Sequence, residues 1–76
     1  MSSNPHLPSR RVYVRGQLLE YRKLAIRVRI ENLGSRHPIV WFPVSQIVGL
    51  FPEDPIAGDS VSFECSRWLM EKNGIK

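Results

Sequence analysis

Two stretches of this 76-residue chain, Val12 to Leu19 and Leu24 to Glu31, alternate apolar and polar side chains almost without a break. In the first, Val12, Val14, Gly16 and Leu18 point one way, while Tyr13, Arg15 and Gln17 point the other. In the second, Ile26, Val28 and Ile30 oppose Arg27, Arg29 and Glu31. Side chains leave a β-strand on alternate faces, so the pattern predicts an amphipathic hairpin with one apolar face and one face rich in arginine.

The apolar sets also constrain how the two strands pair. With Tyr21, Arg22 and Lys23 as the loop, Leu18 faces Ile26, Gly16 faces Val28 and Val14 faces Ile30. A slip of one residue would put the two sets on opposite faces, which a half-buried sheet forbids. This register sets Arg15 opposite Arg29, Gln17 opposite Arg27 and Tyr13 opposite Glu31. Like charges directly across a strand pair cost roughly some tenths of a kcal/mol, which a bound anion would offset. Glu31, Glu20 or a carboxylate from another segment would serve as well, and so would extension of both side chains into water.

A chain of this length makes one small domain, expected to bury about 60% of its unfolded surface or slightly more, so its stability depends on a well-packed core or on self-association. An apolar content of 42%, with proline and glycine spread along the chain, suits a compact β-rich module. No apolar run approaches the roughly 18 residues of a membrane span. Residues 1–9 are polar and proline-bearing, unlike a signal peptide, and are expected to form a flexible leader before a single domain over 10–76. These features predict a soluble, cytoplasmic protein.

Cys65 is the only cysteine, so no internal disulfide framework is possible. It alternates with Phe63 and Val61, and no histidine lies near it in sequence, which makes it a small buried thiol rather than a nucleophile. His6 and His37 have no partners at metal-ligand spacing, and no cofactor is called for. The carboxylates fall in turns, on strand faces or on the last helix. Acid–base catalysis needs paired titratable groups in a cleft, so the chain is not expected to be an enzyme.

Charge is placed unevenly. The net charge is +4, but residues 1–36 carry eight Lys/Arg against two Glu, whereas residues 37–76 carry three basic and five acidic groups. Such polarity steers one side of a molecule toward a polyanion. Arginine outnumbers lysine eight to three, and guanidinium both stacks on planar rings and forks onto phosphates.

Further along, Asn32 to Pro38 reads as a loop and Ile39-Val40-Trp41-Phe42 as a short buried strand ended by Pro43. Ser45 is placed to cap a helical turn that drops Ile47 into the core. Phe51 to Pro55 reads as an acidic loop, and Ile56 to Asp59 as a turn feeding a strand from Ser60 to Cys65. Ser66 then caps a helix over Arg67 to Lys72, ended by Asn73-Gly74, with Trp68 and Leu69 anchoring it. About four strands with short connections and a terminal helix predict a mainly β fold, a small antiparallel barrel of the SH3-like or oligonucleotide-binding type.

The segment Val40-Trp41-Phe42-Pro43-Val44-Ser45-Gln46-Ile47 resembles the apolar-Trp-apolar-Pro-x-Ser-Gln-apolar core of a group of small proteins carried by bacteriophages and other mobile elements. Trp68-Leu69-Met70-Glu71-Lys72-Asn73-Gly74-Ile75 is similar to their C-terminal signature, and the likeness covers about residues 12 to 75. It implies a phage-like origin and a small β fold, but no activity. The arginines of the second strand depart from the group, whose members are often acidic or mixed there. No functional residue is carried over, since Trp41, Pro43, Gln46, Trp68 and Gly74 are equally explained by packing, turns and capping.

Two functions follow as expectations. In the first, Arg15, Arg27 and Arg29, helped by Arg10, Arg11, Arg22 and Lys23, meet nucleic-acid phosphates while Tyr13, with Tyr21 or His37, offers a stacking surface. Single strands are favoured because every unpaired base presents a π-face. In the alternative, the chain is a protein-binding inhibitor of a host defence complex that handles nucleic acid, acting through the loop around Leu50, Phe51 and Glu53 or by adding an edge strand to a partner's sheet. A homodimer is also compatible with a small β module that leaves an apolar edge.

Overall fold

A computed structural model describes residues 11–34 and 36–74. The leader and Arg10 lie outside the described residues. The chain folds into five antiparallel strands, β1 (Arg11–Tyr21), β2 (Ala25–Ile30), β3 (Ile39–Pro43), β4 (Ile47–Phe51) and β5 (Ser60–Ser66), followed by helix α1 (Arg67–Lys72). They form one sheet in the order β3-β2-β1-β5-β4. The expected four strands become five because Ile47–Phe51 is extended. A short 3₁₀ turn over Val44–Gln46 precedes it, with no side-chain cap from Ser45.

β1 organises the sheet. Its first part, Arg11 to Gln17, pairs with β5, and its last part, Gly16 to Tyr21, pairs with β2. Only Gly16 and Gln17 are paired on both sides. A Cβ on Gly16 would sit 2.1 Å from the Arg29 carbonyl oxygen, so glycine is what lets the β2 backbone come so close at this junction.

The alternation governs which side is buried. Val14 and Leu18 of β1, Ile26, Val28 and Ile30 of β2, Val40 and Phe42 of β3, and Val61, Phe63 and Cys65 of β5 all face one core. The Phe42 and Phe63 rings meet edge to face at 4.8 Å between centroids. Their strands are three places apart in the sheet, about 14 Å if it were flat, so the sheet curls strongly around its apolar face. The 3₁₀ turn fits this curl, since it joins the two edge strands through three residues. No ladder between β3 and β4 is found among the described residues, and the sheet is open there.

The predicted register is corrected. Leu18 pairs with Val28, Gly16 with Ile30 and Gln17 with Arg29, two residues away from expectation. A bulge between Leu18 and Glu20 absorbs Leu19, so Glu20 pairs with Arg27 and Tyr21 with Ile26. The turn therefore moves by one residue to Arg22–Leu24, closed by the Arg22 N–H donating to the Ala25 carbonyl at 2.9 Å. A shift of two preserves every face, which is why the pattern of buried residues holds although the pairing differs.

Helix α1 begins as its sequence predicts. The Ser66 hydroxyl accepts from the Leu69 N–H at 3.2 Å, and the Asn73 side chain donates to the Leu69 carbonyl at 2.9 Å. Leu69 and Met70 pin the helix to the core. Trp68 does not, being 59% exposed with the Lys72 ammonium 5.0 Å from its ring. Cys65 is buried and its thiol is pushed up from 9.0 to about 11 by loss of hydration, which keeps it protonated and unreactive at neutral pH.

Candidate nucleic-acid interface

The water-facing side of the sheet carries the arginines because the other side is committed to the core. Arg15 lies between buried Val14 and Gly16, Arg27 between Ile26 and Val28, and Arg29 between Val28 and Ile30, so all three project from the same outward face. Their neighbours differ from those expected. Arg29 is flanked by Gln17 on β1 and by Ile39 on β3, while Arg15 pairs with Ser62 on β5. Direct opposition of Arg15 and Arg29 is therefore absent, and the two are diagonal across β1 and β2.

Beyond Gly16 the two strands are bridged in a different way. The Asn32 side chain accepts from the Arg15 N–H at 2.8 Å and donates to the Tyr13 carbonyl at 3.0 Å, while the Glu31 N–H donates to the Arg15 carbonyl. Asn32 thus replaces a strand partner and fixes the backbone under Arg15. Tyr13 pairs with Glu64 rather than Glu31.

Tyr13 aside, the six described cationic residues expected at the site fall into three groups. Arg15, Arg27 and Arg29 have no carboxylate within ion-pair distance among the described residues. Arg11 and Arg22 do, with Arg11 lying 3.9 Å from Glu64 and the Arg22 Nε donating to Glu20 at 2.5 Å. Lys23 is exposed in the β1–β2 turn, close along the chain to Arg22.

Tyr13 stands two residues from Arg15 on the outward face of β1, at the end away from Arg27. It is half exposed and lines a shallow depression of about 180 Å³ with Val48, Gly49, Ser62, Phe63 and Glu64 on the β4–β5 side. Seven residues of β1, or about 23 Å of extended chain, separate it from Glu20 in the Arg27 row. Tyr13 therefore belongs to a different part of the surface from Arg27.

The aromatic group within the cluster is Trp41. It was expected in a buried strand, but β3 alternates, with Val40 and Phe42 inward and Ile39 and Trp41 outward. Trp41 pairs with Arg27 and is 40% exposed. Two guanidinium groups lie against its ring, Arg22 at 5.5 Å and Arg27 at 5.8 Å from the centroid. The Arg27 Nε is buried and meets no acceptor, so the ring rather than a carboxylate holds this cation. The sequence signal was present in the period-two parity from Phe42. An unbroken run of four apolar residues concealed it.

Among the described residues no group of His, Cys, Asp and Glu converges closely enough to hold a metal ion, and no helix is long and apolar enough to cross a membrane. A scan against protein-family models finds no match to the chain, and searches of curated proteins and of solved structures find no similar chain.

Proposed function

We propose that this chain is a nucleic-acid-binding module rather than an enzyme, a small cytoplasmic protein of phage-like origin whose curled sheet is of the SH3-like or oligonucleotide-binding barrel type. Arg15, Arg27 and Arg29 meet backbone phosphates, with Lys23 extending the cationic surface at the β1–β2 turn and Arg22, paired with Glu20, lying beside Trp41. The observation that supports this reading is the trio of arginines, drawn from two adjacent strands and sharing one outward face without a carboxylate partner among the described residues. Like charges gathered this way repel one another, and a polyanion relieves that repulsion while releasing its condensed counterions.

Salt dependence tests the reading. Neutralising three phosphates on a single strand gives a log–log slope of affinity against salt of about −2, at roughly 0.7 per phosphate. Affinity for oligonucleotides that is unchanged between low and moderate salt contradicts it.

A second reading draws on the opposite edge of the sheet. On β4, Val48 is 47% and Phe51 70% exposed, while Leu50 of the expected loop is half-buried. An unpaired edge with apolar side chains suits addition to the sheet of a host defence protein, or of a second copy of the chain. Recovery of a stoichiometric protein partner that withstands nuclease and high salt favours this reading over the first.

A further inference from the structure

We infer that Trp41 is a stacking station for an unpaired nucleobase, so that the ligand of the arginine face is a single strand gripped through its bases as well as its phosphates. The inference rests on the proposed nucleic-acid binding and adds a base contact at a named residue, which the sequence alone places on Tyr13.

Three features of the surface carry it. The first is position: Trp41 stands on the outward face beside Arg27, in the strand next to β2, which bears two of the three unpaired arginines. The second is exposure. Trp41 leaves 40% of its surface to solvent, and two guanidinium groups lie against its ring. The third is the chemistry of those cations. Guanidinium is planar and weakly hydrated on its faces, so indole and arginine together offer flat surfaces on which a base can extend the stack.

The geometry also favours an unpaired base. In a duplex the faces of the bases are already stacked on one another, and a side chain standing out from a convex sheet cannot reach between them without unstacking. A single strand carries its bases free. With phosphates on Arg29 and Arg15 along β2 and β1, a neighbouring base is brought to the end of the sheet where Trp41, Arg22 and Arg27 meet. Glu20 holds Arg22 there from β1. Each stacked base of this kind adds affinity on the order of tenfold, whatever its identity, because every base has a π-face.

Fluorescence and a backbone-only ligand separate this inference from the reading on which it rests. In a Trp68→Phe variant, Trp41 is the sole tryptophan, and its emission is followed as a thymidine homo-oligomer is added. Binding is measured in parallel by anisotropy, using the homo-oligomer, an abasic oligomer of equal length and a duplex. The inference expects quenching of Trp41, affinity for the homo-oligomer on the order of tenfold above that for the abasic strand, and removal of that difference by Trp41→Ala. Trp41→Phe retains part of it. Equal affinity for the two strands with unchanged Trp41 emission overturns the stacking station and leaves phosphate binding intact. Absence of binding to any of the three ligands overturns both.

Discussion

Arginines share the outward face beside both ends of β1, Arg11 on β1 itself and Arg27 and Arg29 on the adjoining β2, yet the sheet treats them differently. At the end paired with β5, Arg11 lies beside Glu64, in a row completed by Tyr13 and Val48. At the end paired with β2, Glu20 lies opposite Arg27 but its carboxylate bonds Arg22, and on the β3 side Arg27 and Arg29 face Trp41 and Ile39. Arg15, between the two, pairs with a serine. Residue type and face are shared, and the neighbouring strand decides whether a charge is answered within the molecule. An arginine is a binding candidate here when its cross-strand neighbours leave it unpaired, and counting arginines does not reveal that.

The most damaging way to break this contrast is at Gly16, where the two halves of β1 join. A methyl group there would meet the Arg29 carbonyl oxygen, so Gly16→Ala forces β2 away from β1. Unfolding by urea is expected to show a loss of about 3 kcal/mol or more, at the upper end of overpacking effects. A loss under about 1 kcal/mol would mean that the close approach has little role in holding the arginine strands together.

Substitution of the arginines themselves sharpens the contrast. Arg15→Ala/Arg29→Ala is expected to lower oligonucleotide affinity on the order of tenfold to a hundredfold, with the melting temperature nearly unchanged, since both side chains are exposed and unpaired. Its salt slope should be shallower than that of the parent by about 1.4. Arg11→Ala, in contrast, removes a half-exposed and already paired charge and is expected to change affinity by less than about twofold. Equal effects from the two variants would erase the distinction between the ends of β1.

The smallest effect belongs to Cys65, which lies behind the carboxylate-answered end, opposite Val12. Its thiol titrates near 9.0 when unfolded and about 11 when folded. Because burial raises the folded value, its contribution to stability is complete below pH 9 and is lost as pH rises through 11. Stability followed by denaturant titration should therefore show no Cys65-dependent change near neutrality, and a decline between pH 9 and 11 that is reduced in Cys65→Ala.

The faces of the sheet were legible in the sequence, but its pairings were not. Alternation alone placed Val14, Leu18, Ile26, Val28 and Ile30 in the core and Arg15, Arg27 and Arg29 outside, because a strand with one buried face has no other option. It could not choose between registers two residues apart, which bury the same side chains. The bulge at Leu19 and the displaced turn settled that choice, and neither has a strong signature in Leu18-Leu19-Glu20-Tyr21. The Ser66 cap was readable because it depends on one side chain and a backbone N–H three residues on.

Elements that depend on distant partners were misread. β4 lacks clean alternation, with Gly49 at positive φ and a ladder to β5 that shifts between Val48 and Phe51. Trp41 was expected inside a buried apolar run and Trp68 as an anchor for a helix too short to stand alone, whereas cations cover part of each ring on the surface. Such arginine and lysine partners are supplied by other turns and strands, or by the next turn of a helix, and an apolar count does not register them.

Side-chain nuclear magnetic resonance observes directly which guanidinium groups meet the ligand. In a ¹⁵N-labelled sample titrated with a single-stranded oligonucleotide, the Nε–Hε signals of Arg15, Arg27 and Arg29 are expected to shift together, while those of Arg11 and Arg67 stay in place. Shifts confined to Arg11, Arg67 and helix α1, with the β1–β2 arginines unmoved, would contradict the account.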